Sequence, residues 1–483
     1  MSFLSDNAIV AEALDRYEQD AVAARAPVIN QQPLEQIIAR LELAKHIRDG
    51  GLGGRELEGF LERYLSFATR LQHPAYMAHQ VAIPHYSGAL AGMIDGFTNN
   101  AMAIYEMGPA AASIEFFILN WMLGKVGWEP SPCNRGGAAE NHSPGGGVLT
   151  HGGSLANLTA LLAARQHAAP DAWDNGVPDD LVLLAPAESH YSIARAAGIL
   201  GIGRKAIRTL EVDAQGRILA EKLPAICTGL RQEGKRPMAV VANAGSTAVG
   251  LYDPLPAIGE FCRDQGIWFH VDGAHGACAL LSEKHKHLMK GVEHADSLTW
   301  DAHKMLRTPV LCAALLVRDH RALDRTFQQD ASYLFHDKAR PGIDFGHRTV
   351  ECTKAGLGLK FFMVLGALGE RGLADYVERQ YELALQAYEY IQQQAGFECA
   401  VRPQSNILCF RTAGGDAQQL QIRDALIARG DFYTSSTLFQ GKRYLRLALM
   451  NPRTQLEDIQ RLIQRIREWE KHHLSVWRMS TAS

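Results

Sequence analysis

The chain has 483 residues, 47% hydrophobic and 21% charged, which suffices for a large core and a second, smaller one, and no long disordered tract is expected. A formal net charge of −3 and a pI near 6.7 give no basic field of the kind that nucleic acid or an anionic membrane requires. The eight cysteines, at 133, 227, 262, 278, 312, 352, 399 and 409, stand singly, without a CxxC pair or zinc-ligand spacing, so a reducing, cytoplasmic setting is expected.

In chain order, the first twenty residues, MSFLSDNAIVAEALDRYEQD, lack a basic stretch followed by an apolar run, and the longest strongly apolar run, Val310–Val317, is too short to span a bilayer. Neither export nor membrane insertion is expected. Residues 7 to about 72 read as helices with apolar stripes: AIVAEALDRYEQDAVAAR, PLEQIIARLELAKHIRDGG and RELEGFLERYLSFATRL. Such an arm, residues 1–75, can cover its stripes on its own body or on a second subunit.

From about 145 to 320 short β-rich runs alternate with amphipathic stretches: GGVLT, LVLLAP, AIRTLEV, MAVVAN, IWFHVD, DSLTW and CAALLVRD. The alternation predicts an α/β fold with a mainly parallel sheet between helices, within a large domain spanning 76–360. Ligands of such sheets bind beyond the carboxyl ends of the strands. Residues 361–483, with long helical stretches around NILCFRT and RYLRLALM, read as a smaller C-terminal α/β domain.

Four features lie at predicted strand ends. THGGSLANLTALLAAR reads as a strand, a Gly-Gly turn and a helix start, whose backbone amides at Gly153 and Ser154, with the Ser154 hydroxyl and Thr150, suit a phosphate dianion. Neither a Gly-Lys-Ser/Thr nor a GxGxxG pattern follows, so the phosphate comes without a nucleotide. His190, in AESHYSIARAA directly after LVLLAP, is placed to stack on a planar ligand. Asp272 ends the apolar run IWFHVD, where an unpaired carboxylate is costly and calls for a cation or donors. Ala274, two residues on, is small enough to lie against a ring. Lys304 follows the predicted strand SLTW, beside His303. Phosphate loop, stacking histidine, aspartate and lysine, in that order, specify pyridoxal 5'-phosphate (PLP), with Asp272 keeping the pyridine nitrogen protonated so that the ring accepts electrons from Cα.

With HPAYMAHQ (73–80), NNAMAIYEMGP (99–109), GKVGW (124–128) and LRLALMNPRT (445–454), the chain resembles the group II PLP-dependent amino-acid decarboxylases: those of glutamate, cysteine sulfinate, aromatic amino acids and 2,4-diaminobutyrate. The resemblance spans nearly the whole chain. It implies the PLP-dependent transferase fold (type I) and a homodimer that exchanges its N-terminal helices. It also implies a Schiff-base role for Lys304, a ring-nitrogen role for Asp272, stacking by His190, and Gly153, Ser154 and His303 around the phosphate. Arg446 would bind a substrate carboxylate, and Gln80 matches a glutamine of members with acidic substrates.

Two departures stand out. The stretch LFHDKARPGIDFGHRTVECTK contains no tyrosine after Tyr333, although members of the family draw a proton for Cα from a tyrosine there; His336, His347, Lys304 or a water is left to serve. Asn243 replaces a frequent threonine, and its amide can hydrogen-bond the cofactor or substrate. The expected reaction is decarboxylation of an α-amino acid, an acidic one ahead of 2,4-diaminobutyrate or an aromatic one. A transaminase, lyase or oxygen-using aldehyde synthase on the same scaffold is the alternative. His285 and His287, in SEKHKHLM, fall in a predicted charged helix without acidic or cysteine partners at ligand spacing, and no metal is expected.

Overall fold

Seven apolar runs in the middle of the chain pair into one sheet: β1 (Gly146–Thr150), β2 (Leu181–Pro186), β3 (Ile207–Leu210), β4 (Arg236–Asn243), β5 (Trp268–Asp272), β6 (Ser297–Asp301) and β7 (Ala313–Val317). The computed structural model describes residues 2–132, 143–327 and 342–480, with side chains as far as His472. Strand order is β1-β7-β6-β5-β4-β2-β3. Neighbours from β3 to β6 are parallel, whereas β7 runs against both β6 and β1. Residues 302–312 are too few for the crossover that a parallel connection needs, so the chain turns straight back after β6, and that turn carries Lys304.

Every residue of β1, β2, β5, β6 and β7 is buried, which explains apolar runs without alternation: a strand covered on both faces has no solvent side. Polar side chains interrupt these runs at His270, Asp272, Ser297, Thr299 and Asp301, and each needs a partner inside the protein. The helix Gly153–Ala168 packs over β1 and β4 to β7. Glu115, in the helix Pro109–Val126, and Lys354 form a wholly buried ion pair of 2.7 Å. The other Glu115 oxygen accepts the Leu149 amide at 2.9 Å, tethering β1 just before the turn at 150–154.

These elements belong to a larger unit, Gln80–Tyr381 with Pro403–Ser405. A smaller unit gathers Met1–His79, Glu382–Arg402 and Asn406–Ser483. Its sheet, β8 (Phe397–Cys399), β9 (Ile407–Thr412), β10 (Ser435–Phe439) and β11 (Lys442–Ala448), is antiparallel in the order β10-β11-β9-β8. Met77, Ile391, Phe410, Ile422, Leu445 and Ile463 pack in its core. The Val28 amide donates to Gly430 at 2.9 Å and Asn451 donates to His73 at 2.9 Å, so the N-terminal segment is tied to the C-terminal one within this unit.

Two local expectations fail. The helix expected over 33–51 is two, Leu34–Arg40 and Leu43–Asp49, because Glu42 takes a left-handed conformation (φ +52°); neither piece buries a residue that would hold a continuous register. The charged helix expected around SEKHKHLM is a 3-10 turn, Lys286–Met289, preceded by Ser282, whose hydroxyl accepts the His285 amide at 3.1 Å. Among the described residues no group of three or more histidines, cysteines or acids has the geometry to hold a metal.

Candidate active site

β1 ends at Thr150, and Gly152, at φ +97°, makes a turn that L side chains rarely adopt, so the helix can begin at Gly153. Gly153 is required for a second reason: a Cβ there would stand 2.8 Å from an Asp301 oxygen. The Gly152 carbonyl accepts the amides of Leu155 and Ala156, which leaves the Gly153 and Ser154 amides at the open helix N-terminus. The Thr150 hydroxyl faces the Gly152 and Ala313 carbonyls at 3.2 and 3.3 Å and braces the turn. His151 leans on Glu351 at 2.7 Å.

Asp272 is the last residue of β5, in register with Asn243 of β4 and Thr299 of β6. One carboxylate oxygen accepts from Asn157 at 2.8 Å, the other from the Ala274 amide at 3.2 Å. Both donors are neutral, and among the described residues no lysine, arginine or histidine makes an ion pair with Asp272. His190 caps the helix Tyr191–Ile199: its Nδ1 accepts the Ser192 amide at 3.3 Å and lies 2.8 Å from the Ser192 hydroxyl. Burial pushes the His190 pKa below the usual value; the charges of Asp272 and Asp301 oppose this and that of Lys304 adds to it. Those charges therefore surround the one imidazole.

Lys304 lies in the turn after β6, its side chain 20% exposed and its Nζ 3.3 Å from Asp301. His303 is buried, its Nδ1 facing the Cys312 carbonyl at 2.9 Å and its Nε2 3.7 Å from Asp301. The other Asp301 oxygen is buried without a hydrogen-bond partner. Asn243 is held by Asp253, whose carboxylate accepts the Asn243 and Ile218 amides at 2.6 and 2.8 Å; burial raises Asp253 to about 6 against those bonds. Gln80 is half-buried in the larger unit.

Arg446 lies in the smaller unit, buried on β11, with Nη1 3.3 Å from the Ala78 carbonyl and 3.4 Å from the Ser435 hydroxyl. His79 of that unit meets the Tyr433 hydroxyl at 3.0 Å. His347 sits in the turn Phe345–Arg348, whereas His336 and Tyr333 lie outside the described residues.

Four residues of the cluster escape sequence reasoning: Asn157, Ser192, Thr299 and Asp301. Asp301 had a signal, an acid three residues before Lys304 at the end of a buried strand. The others are common helix or strand residues whose role depends on what faces them. The donor set fits PLP. A helix N-terminus offers amides to a phosphate, a lysine stands beside a buried acid, and Asp272 is a buried carboxylate one positive charge short, which a protonated pyridine nitrogen supplies.

The model of the pyridoxal-dependent decarboxylase conserved domain matches residues 60–413. The acidic amino acid decarboxylase GADL1 of Mus musculus is 29% identical over 477 residues, covering 93% of this chain and 84% of that protein. The Mus musculus cysteine sulfinic acid decarboxylase is 33% identical over 368 residues, covering 74% and 71%. The crystal structure of mouse CSAD superposes with a TM-score of 0.85 at 25% identity, covering 96% of this chain and 98% of that one. The chain belongs to the pyridoxal-dependent decarboxylase family and is a PLP-dependent amino-acid carboxy-lyase with the type I fold.

Proposed function

We propose that this enzyme removes the α-carboxylate of an acidic amino acid, of the class of glutamate, aspartate or cysteine sulfinate, and that it works as a homodimer in the cytoplasm. The observation that carries the acidic class is the similarity, along nearly the whole chain, to a decarboxylase named for acidic amino acids, joined by the similarity to one named for cysteine sulfinic acid. Gln80 and the buried guanidinium of Arg446 are consistent with it: Arg446 offers a bidentate fork to a substrate carboxylate, and Gln80 a neutral amide.

When bound, PLP supplies the electron sink that accepts the bonding pair between Cα and the departing carboxylate. Lys304 would attach the cofactor, and Asp301, 3.3 Å from its amine, holds that amine in place. Asp272 keeps a proton at the ring nitrogen. His190, whose pKa burial holds below the usual imidazole value, would pack against the ring without competing for that proton. The Gly153 and Ser154 amides would hold the phosphate, with His303 beside them, while Asn243 and Ala274 would shape the ring's surroundings. After CO2 leaves, Cα needs a proton, and Lys304, His347 or a water brings it.

The homodimer is supported by an exposed apolar face on the helix Tyr86–Thr98, where Tyr86 (69% exposed), Leu90, Met93, Ile94 and Phe97 (72%) recur at helical spacing. The cytoplasmic setting is supported by the free thiols of all seven described cysteines. Among the described residues no helix is long and apolar enough to cross a membrane.

Incubating the holoenzyme with a panel of amino acids, while measuring CO2 and identifying the organic product, tests the reading. CO2 and amine from glutamate, aspartate or cysteine sulfinate are expected. Turnover confined to aromatic acids or 2,4-diaminobutyrate would overturn the acidic class. An aldehyde in place of the amine would favour the second reading, an aldehyde synthase, for which the tyrosine-free stretch after Tyr333 speaks.

A further inference from the structure

Behind Asp272 lies a chain of polar side chains that the reaction as described does not use. At its centre is Asn157, 1% exposed, in the first turns of the helix that starts at the phosphate turn. Its Nδ2 is 2.8 Å from Asp272 and 3.0 Å from the Ser192 hydroxyl; its Oδ1 is 2.7 Å from the Thr299 hydroxyl and 3.1 Å from His270 Nε2. A carboxylate only accepts, so the NH2 must face Asp272 and the carbonyl must face Thr299 and His270. That orientation fixes every other proton in the chain. His270, which burial lowers to about 4, is neutral, and because its Nε2 faces the Asn157 carbonyl, which only accepts, its proton is on Nε2. Its Nδ1 therefore accepts from the Ser297 hydroxyl at 2.9 Å, and that hydroxyl accepts in turn from the Trp268 indole at 2.9 Å. On the far side His190 Nδ1 accepts the Ser192 amide at 3.3 Å, so the Ser192 hydroxyl, which accepts from Asn157, adds its own proton to that nitrogen.

We propose that Asn157 is a positioning residue that joins the two groups assigned to the cofactor ring, holding the carboxylate of Asp272 with a neutral donor and fixing His190 as the Nε2–H tautomer through Ser192. The proposal rests on the assignment of Asp272 and His190 to that ring. One amide thereby does two things. A cation in its place would neutralise Asp272 and remove the charge that the pyridinium needs, whereas an apolar side chain would leave the carboxylate short of a donor in a buried site. Asn157 satisfies the oxygen and leaves the negative charge uncancelled. Through the same NH2 it orients the Ser192 hydroxyl so that the single N–H proton of His190 stays on Nε2, away from Ser192.

The test uses the full-length enzyme resolved from PLP and reloaded by titration, with long-range proton–nitrogen spectra of the histidine-labelled holoenzyme reporting the tautomer; His190→Asn assigns the signal. Asn157→Ala should weaken PLP binding roughly ten- to a hundredfold, the effect of a lost hydrogen bond to a buried charge, and lose the single Nε2–H pattern of His190. Ser192→Ala should change the His190 pattern and leave PLP affinity within about twofold, because it leaves Asp272 untouched. A merely structural role would not separate the two readouts in this way. An Asn157→Ala protein with unchanged PLP affinity and unchanged His190 tautomer overturns the proposal. Should that variant fail to fold, Asn157→Ser and Thr299→Val decide it by the same readouts, wild-type values in both again overturning it. Asp272→Asn run alongside separates the levels: wild-type PLP affinity there sinks the assignment of Asp272 itself, whereas weak binding there with normal binding in Asn157→Ala sinks only the role of Asn157.

Discussion

Two buried clusters of polar side chains in the larger unit are built on opposite plans. The Glu115–Lys354 pair is closed: both side chains are fully buried, their charges cancel, and the remaining Glu115 oxygen is taken by the Leu149 amide. The cluster around Asp272 is open: neutral donors satisfy the carboxylate and its charge remains. Closed pairs hold a fold together once formed, even where an apolar pair would do as well. An uncancelled buried charge at the carboxyl edge of such a sheet points to a ligand of opposite sign, so this contrast marks the candidate site off from the scaffold.

Substitutions sharpen the contrast. On the open side, Lys304→Ala should reduce CO2 release at least about a thousandfold, and borohydride should then fix no pyridoxyl group on the protein; trapping at a different lysine in the wild type would move the site. On the closed side, Lys354→Met strands a buried carboxylate and should destabilise by about 3–5 kcal/mol in urea unfolding. Adding Glu115→Leu should recover most of that loss, whereas strictly additive losses would mean that the pair is not a unit.

Acid reaches the open cluster through His270. Its folded pKa of about 4 lies below the unfolded value of about 6.5. Between these values the unfolded chain binds the extra proton and the folded one does not, so this contribution is intact above about pH 6.5 and is lost progressively down to about pH 4. The melting temperature should fall over that window, and His270→Asn should flatten the fall. The smallest effect is expected at the exposed pair Lys125–Glu370, where Lys125→Ala should change stability by less than about 1 kcal/mol. A larger change would show that exposure alone does not distinguish the two kinds of pair.

The candidate site was legible in part because Ser154, His190, Asp272 and Lys304 lie at strand ends or helix starts, and strands buried on both faces announce themselves as apolar runs. β1, β2 and β5 begin and end close to where those runs do, so Ser154, His190, Asp272 and Lys304 could be placed at the sheet's carboxyl edge. The reversal of β7 was less visible, since direction depends on the length of a connection and not on the run itself. The break at Glu42 was invisible, because an exposed stripe carries the same spacing whether or not the helix is continuous.

By itself, then, the sequence determined the class of the sheet and the cofactor and ordered the residues proposed to meet it, since these depend on local pattern and on the chemistry of lysine, aspartate and a glycine turn. Only the tertiary structure decided which neutral side chains face that charge. Asn157, Ser192 and Thr299 come from a helix, a second helix and a strand far apart in the chain. Nothing local marks them, because a buried hydrogen bond is a property of two partners brought within 3 Å and not of either one.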